Sequence, residues 1–313
     1  MRIIKPSFEI WDQEEGLEGI YKQIERAGRV CYKSEDKITE NSAKEFVDRM
    51  IKSGHGAMLE HGTVYLKLLD TLDNMSLINR YKENKYSIIK EGTEEYNCHG
   101  DAIYGRSICI TTNYRVLVEN NWLDDLDYLC EPTEFHEKRI TVKFICDRGV
   151  SHEFVRHRVF SFAQESTRYC NYSKDKFQGV TYIQPPWLDG DISNEDGSKF
   201  NDVYTDIYLH TLTTAENAYL DLLKQWDNKV PDKRFKSGYK NNPWTPQQTR
   251  AVLPNSLKTE LVMTGFVSDW EHFFKLRDAG SAHPQARELA YPLHMEFLRR
   301  NYLVDLYDEA NPD

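Results

Sequence analysis

The chain has 313 residues, 40% of them hydrophobic and 29% charged, a globular composition that excludes a disordered or collagen-like chain. Fifty Asp and Glu against forty Lys and Arg give a formal net charge of −10, which speaks against a general binder of nucleic acid or anionic membrane. No stretch reaches the roughly 18 apolar residues of a membrane helix, and Met1-Arg2-Ile3-Ile4-Lys5-Pro6 lacks the apolar run of a signal peptide, so a cytoplasmic protein is expected.

In chain order, residues 42 to 53 predict an amphipathic helix. Ala43, Phe46, Val47, Met50 and Ile51 form its apolar face, Ser42 and Glu45 a capping box, and Gly54 its C-terminal stop. His55 to His61 reads as a loop and Thr63 to Leu69 as a strand with Val64, Leu66 and Leu68 on one face. Asn74 to Glu95 is polar with little periodicity, and Ser107 to Leu117 reads as a strand running into a helix. Ile140, Val142, Phe144 and Cys146 alternate along another strand, after which Asp147-Arg148-Gly149 turns into a helical pattern with Val150, Phe154 and Val155. Residues 174 to 202 and 228 to 248 are loop-like, on either side of a helix marked by Tyr204, Tyr208, Leu212, Ala215, Tyr219, Leu222 and Trp226. A helix opens at Ser268 with Glu271 as a second capping box, and the last runs from about Pro284 to Leu306, with a kink or break expected at Pro292. Strands and helices mix without regular βαβ alternation, which favours an α+β fold. No glycine-rich phosphate loop is present. The six cysteines, Cys31, Cys98, Cys109, Cys130, Cys146 and Cys170, lack metal-ligand spacing and are expected as free thiols.

Positive charge is concentrated at 138 to 168. Lys138, Arg139, Lys143, Arg148, Arg156, Arg158 and Arg168 outnumber Asp147, Glu153 and Glu165, a local +4. Guanidinium forks suit phosphate oxygens, so this stretch is either a pocket for a phosphorylated small molecule or a solvated basic face with pairs such as Glu153–His157 along a helix. His152 and His157 are five residues apart, not the four that would let both grip zinc from one helical face. Trp270, Phe273, Phe274 and Arg277 share a helix face, so Arg277 needs an anionic partner or must snorkel outward. His55, Glu60 and His61 are candidates for acid–base or cofactor contacts, or structural residues. No nucleophile–base pair is legible, and a bound cofactor would then carry the difficult chemistry.

Arg156-His157-Arg158, seven residues, then Ser166 is similar to the RHR-x7-S motif of the flavin-dependent thymidylate synthases. Gln164-Glu165-Ser166-Thr167-Arg168-Tyr169 resembles the continuation of that motif. Ala27-Gly28-Arg29-Val30-Cys31, Gly54-His55 with Glu60-His61, Arg250-Ala251-Val252-Leu253-Pro254 and Phe273-Phe274-Lys275-Leu276-Arg277 resemble further family blocks. The resemblance covers about residues 20 to 69, 140 to 185 and 245 to 300, in the family's order. It implies a central, largely antiparallel sheet flanked by long helices, in a homotetramer with shared active sites. It implies reductive methylation of dUMP to dTMP. Methylenetetrahydrofolate would be the one-carbon donor and NADPH the reductant of a bound FAD, with no covalent protein–nucleotide adduct. No metal, nucleic-acid or membrane partner is implied.

By the same resemblance, His55, Glu60, Arg156, His157, Arg158 and His272 contact the flavin. Glu153, Gln164, Glu165, Ser166, Thr167 and Arg168 hold the nucleotide, and Arg250 reaches it from a neighbouring subunit. Arg277 meets the uracil ring and with Ser166 makes the catalytic pair, Ser166 as a positioning group rather than a nucleophile. Glu153 replaces a common Gln and would need neutralising by Arg156 or His152. Phe266 and His272 stand where other members carry asparagines, and Ala57 where a hydroxyl is frequent. A single domain is expected, enlarged at about 70 to 138 between two neighbouring strands. A nucleotide- or RNA-binding protein without activity and a metal-dependent phosphohydrolase are the alternatives.

Overall fold

The computed structural model describes residues 1–98, 101–188, 203–224 and 243–303, with the backbone alone at 94–98 and 101–104. Its first half holds β1 (Arg2–Ile4), β2 (Ser7–Trp11), α1 (Gly16–Tyr32), α2 (Ser42–Lys52), β3 (Thr63–Leu69), α3 (Met75–Lys82), β4 (Ile88–Cys98), β5 (Asp101–Asn113) and α4 (Tyr114–Asn120). There follow β6 (Arg139–Asp147), α5 (Arg148–Phe154), β7 (Ser161–Gln164), β8 (Thr181–Ile183), α6 (Val203–Leu223), α7 (Pro246–Thr249), β9 (Lys258–Phe266), α8 (Val267–Arg277) and α9 (Pro284–Arg299). The fold is α+β. A four-stranded sheet in the order β2-β6-β9-β7 is antiparallel throughout, β3-β5-β4 forms a second antiparallel sheet, and β1 and β8 pair in parallel.

The central strands β6 and β9 are buried along most of their length, as inner strands covered on both faces must be. Ile140, Val142, Phe144 and Cys146 turn one face of β6 toward α5, α8 and α9, where Trp270, Phe273, Phe274 and Phe297 complete an aromatic-rich core. The opposite face carries Arg139, Thr141 and Lys143. On that side of the sheet α1 packs against β7 and β9, and the short 3₁₀ helix Gly56–His61 packs against β7. Asp147 caps α5 by accepting the Val150 N–H at 2.8 Å, which ends the strand and starts the helix within one residue.

The 70–138 segment differs from expectation. β3 pairs with β5 and not with β6, so the strands flanking the segment are not neighbours. Ile108, Ile110, Tyr114, Val116 and Leu117 from the segment close a second core with Ile20 and Ile24 of α1 and with Phe46 and Val47 of α2. A seam of Trp11, Ala27, Val30, Ala163 and Val262 lies in a small cluster of its own beside the first two.

Both capping boxes fail while their helices form. The Ser42 hydroxyl donates to Glu25 at 2.7 Å instead of capping α2. α8 starts one residue early, with Asp269 accepting the Phe266 N–H at 3.1 Å. Ile51 is exposed because its neighbour Met50 takes the core position. Gly54 does stop α2, at φ +70°. α9 continues through Pro292, which is solvent-exposed, so the Glu288 carbonyl it leaves without a helical donor lies on the side open to water. α6 buries Leu212 and Tyr219 but exposes Tyr204; Trp226 lies outside the described residues. Cys31, Cys109, Cys130, Cys146 and Cys170 are free thiols, and the Cys98 side chain is not among the described ones. No helix among the described residues is long and apolar enough to cross a membrane.

Phe144 is fully buried and touches the Phe154, Trp270 and Phe273 rings, so it anchors β6 to α5 and α8 at once. Phe144→Ala should lower unfolding free energy by about 3–5 kcal/mol in urea titrations.

Candidate functional site

The basic stretch leaves its helix earlier than the sequence predicts. α5 stops at Phe154, and Arg156, His157 and Arg158 form the turn that leads into β7. Contacts distant in sequence fix this turn. The Phe160 ring lies directly on Gly265 of β9, where an added Cβ would come within 2.5 Å of it. From the other side, Arg277 of α8 donates Nε–H to His157 Nε2 at 3.0 Å, one terminal nitrogen to the Glu153 carboxylate at 2.6 Å and the other to the Glu153 carbonyl at 2.9 Å.

This cluster corrects two sequence readings. Glu153 pairs with Arg277, not with His157, because the helix ends before an i, i+4 pair can form. The carboxylate that replaces a common Gln is therefore neutralised by Arg277 rather than by Arg156 or His152. Arg277 does project from the apolar face of α8 beside Trp270 and Phe273 and does have an anionic partner, but the partner comes from its own chain. Because Arg277 donates to it, His157 Nε2 must be the unprotonated nitrogen. Burial, Arg277 and His272 together lower the imidazole to about 4, so it is neutral at physiological pH.

The side chains of Arg156 and Arg158 are exposed, and their guanidiniums have no hydrogen-bond or carboxylate partner among the described residues. The His272 ring is exposed, its centre 6.1 Å from that of His157. His55, also exposed, opens the Gly56–His61 helix; Glu60 within that helix is paired with Arg115 of α4 at 2.6 Å. Phe266 has its ring 5.5 Å from the Arg139 guanidinium, and Ala57 is exposed. His61, named with Glu60 in the sequence, is structural: it is fully buried, meets Thr264 at 2.8 Å and is held neutral, with burial lowering it to about 3.

The second part of the basic stretch lies at the far end of β7, three residue steps or about 10 Å away. Here the structure turns two expected nucleotide contacts inward. Gln164 donates to Ser151 and Thr259 at 3.0 and 3.1 Å. Glu165 is 2% exposed, with one carboxylate oxygen accepting from Tyr172 at 3.0 Å and the other from Lys258 at 2.8 Å. Lys258 also binds Glu260, which is held well below the usual carboxylate range by Lys258, Lys33 and Lys143 against the opposing effect of burial. The Ser166 N–H is taken by the Cys31 carbonyl at 2.9 Å. Arg168 is exposed and Ser166 half-buried, its hydroxyl accepting the Arg168 N–H at 3.3 Å, while Thr167 is buried with its hydroxyl accepting from Arg250 at 3.1 Å.

The structure thus gathers Glu153, His157, His272 and Arg277 at one end of β7 and Ser166, Thr167, Arg168 and Arg250 at the other. Sequence reasoning named Arg139 only as part of the basic stretch and missed Lys258, Glu260 and Gly265. Gly265 was detectable in principle, as a glycine inside a strand. Nothing local distinguishes Lys258. Chemically, the surface offers unpaired guanidiniums and hydroxyls to phosphate oxygens, with no nucleophile beside a base.

The thymidylate synthase complementing protein family model, Thy1, matches residues 120–299. A flavin-dependent thymidylate synthase of Corynebacterium diphtheriae is 29% identical over 143 residues, 46% of this chain and 50% of that one. One from Mycobacterium avium is 31% identical over 153 residues, 49% and 53% of the two chains. The chain therefore spans about half the length of the curated relatives it matches. The crystal structure of a UMP/dUMP methylase PolB from Streptomyces cacaoi with 5-Br dUMP covers 96% of this chain and 93% of its own at 14% identity and a TM-score of 0.40, too distant to carry an argument.

Between about pH 6.5 and 4 the unfolded His157 takes up a proton that the folded residue refuses, so stability must fall as pH falls through that window. Urea titrations should show the loss, and His157→Gln, which keeps an acceptor for Arg277, should reduce it by up to about 3 kcal/mol.

Proposed function

This chain belongs to the thymidylate synthase complementing protein family, and from that premise we propose that it reductively methylates dUMP to dTMP. Methylenetetrahydrofolate donates the carbon, NADPH is the reductant, and no covalent adduct forms between protein and nucleotide. The observation that carries the reading is the division of charge along β7: Arg156 and Arg158 without partners at its start, hydroxyls and guanidiniums at its end.

The donor set fits FAD. Two exposed guanidiniums on one turn, with no carboxylate to satisfy them, match a diphosphate, and His55 and His272 add exposed ring nitrogens. FAD, when bound, supplies the reducing chemistry that no side chain of this chain can perform. Arg156 and Arg158 would bind its phosphates. Arg168, Arg250 and the Ser166 hydroxyl would hold the monophosphate of the nucleotide, whose charge of about −1.5 to −2 calls for more than one cation, with the buried Thr167 hydroxyl positioning Arg250. Glu165 acts from inside the protein, with Lys258 and Tyr172 fixing the strand end that presents Ser166. Arg277 orients the uracil and stabilises negative charge as the ring is activated, with Glu153 setting the guanidinium plane. His157 accepts from Arg277 and carries no charge of its own. In a homotetramer with shared sites, Arg250 would act with Ser166 and Arg168 of its own chain on a nucleotide held jointly with a neighbouring subunit.

Purified protein should be yellow, with flavin absorbance that bleaches on adding NADPH; a colourless protein that cannot be reconstituted with FAD sinks the proposal. Arg277→Ala should retain FAD and lose at least 100-fold in dTMP formation, about 2.7 kcal/mol of transition-state stabilisation. Turnover at the parent rate would mean that Arg277 neither orients nor activates the uracil.

A further inference from the structure

Glu165 and Glu260 lie opposite each other just past the end of β7, where the Glu165 N–H donates to the Glu260 carbonyl at 2.9 Å. Both side chains are buried. Two like charges side by side on a sheet repel, and burial adds to the cost. Lys258, at the start of β9, stands between the carboxylates, its ammonium 2.8 Å from Glu165 and 2.5 Å from Glu260. The two carboxylates differ in their other partners. Glu260 also holds Lys33, the residue after α1, at 2.8 Å and Lys143 of β6 at 2.7 Å. Glu165 has the neutral Tyr172 hydroxyl, at 3.0 Å. Among the described residues, Lys258 is thus one cation of three for Glu260 and the single cation paired with Glu165.

The same short segment carries a second set of charges on its outside. Arg168 follows Glu165 by three residues, and Arg250 donates to the intervening Thr167 at 3.1 Å. Both arginines are exposed, and neither has a carboxylate partner among the described residues. A carboxylate and a phosphate monoester compete for the same guanidinium fork. With Lys258 gone, Glu260 would keep two cations and Glu165 none. A buried carboxylate that loses its cation is unstable where it lies. Turned outward, Glu165 would meet Arg168 and Arg250 and compete with the phosphate for them.

We infer that Lys258 is a positioning residue for nucleotide binding: it holds Glu165 inside, so that a phosphate, and not the chain's own carboxylate, occupies Arg168 and Arg250. The inference rests on the reading of that surface as the monophosphate site. Lys258 touches no ligand; it acts by withholding an internal competitor. Its loss therefore weakens the nucleotide through the Glu165 charge, leaves FAD at the other end of β7 in place, and is reversed by removing that charge. A general loosening of the segment would not be reversed in this way.

The test is isothermal titration of the purified full chain, supplied with FAD, with dUMP. Lys258→Met should weaken dUMP by about tenfold or more while FAD affinity stays within about twofold. Adding Glu165→Gln to that variant deletes the competing charge and should return dUMP to within about threefold of the parent. Tyr172→Phe keeps the ring and removes the other hydrogen bond on Glu165. It should weaken dUMP about threefold, again reversed by Glu165→Gln, and it carries the test if Lys258→Met does not fold. Parent affinity for dUMP in Lys258→Met, an equal loss of FAD, or no recovery on adding Glu165→Gln would each overturn the inference and leave the proposed reaction standing. A chain that shows the expected pattern yet makes no dTMP refutes the reaction and leaves this inference intact. A parent chain that binds no dUMP overturns both.

Discussion

The guanidinium of Arg277 is the constraint on which the site depends. It comes from the apolar face of α8, so it cannot retreat into solvent without uncovering Phe273. Its three bonds end on Glu153 twice and on His157 once, which ties α8 to the last turn of α5 and to the residue after it. With His157 turned inward as an acceptor, the residues on either side must face the other way, and these are Arg156 and Arg158. Two exposed, unpaired guanidiniums are thus the consequence of one buried contact. The same contact fixes the charge of the neighbourhood. Arg277 is ion-paired with Glu153, His157 is neutral, and the unpaired positive charge of this neighbourhood is that of the turn.

Much of the fold could be read from the sequence because it is written locally. Alternation along Ile140 to Cys146 and the Asp147 cap define β6 and the start of α5, and the stripe Trp270, Phe273, Phe274 and Arg277 defines α8. The misreadings share one cause: a local preference was outbid by a contact far away in the chain. Ser42 would cap its own helix were Glu25 not within reach. The α5 helix would continue through Arg156 were the chain not pulled round by Arg277 and by Phe160 seated on Gly265, contacts that span more than 100 residues. The site was legible as residue types and blurred as roles. Gln164 and Glu165 belong to the recognised motif, yet both face inward, because Ser151, Thr259, Tyr172 and Lys258 provide their partners. No spacing rule along the chain encodes those partners.

The 70–138 segment carries more than its composition suggested. Its strand β5 and helix α4 finish the core on which α1 and α2 rest, and its Arg115 holds Glu60. The 3₁₀ helix bearing Glu60 lies against β7, the strand that separates the two charged ends of the site. The family match begins at residue 120, so most of this support comes from sequence outside the matched region.

The seam beside the two large cores has a further consequence. Apart from Trp11, it is built from Ala27, Val30, Ala163 and Val262. Short, stiff side chains leave little rotamer freedom with which to absorb an added methylene. α1 and β7 therefore sit at a separation set almost by backbone contact, like two parts located by a thin shim. Sequence drift can thicken or thin the large cores and let them repack. The seam has no such slack, so a methylene added at Ala27 or Ala163 must displace the helix or the strand bodily.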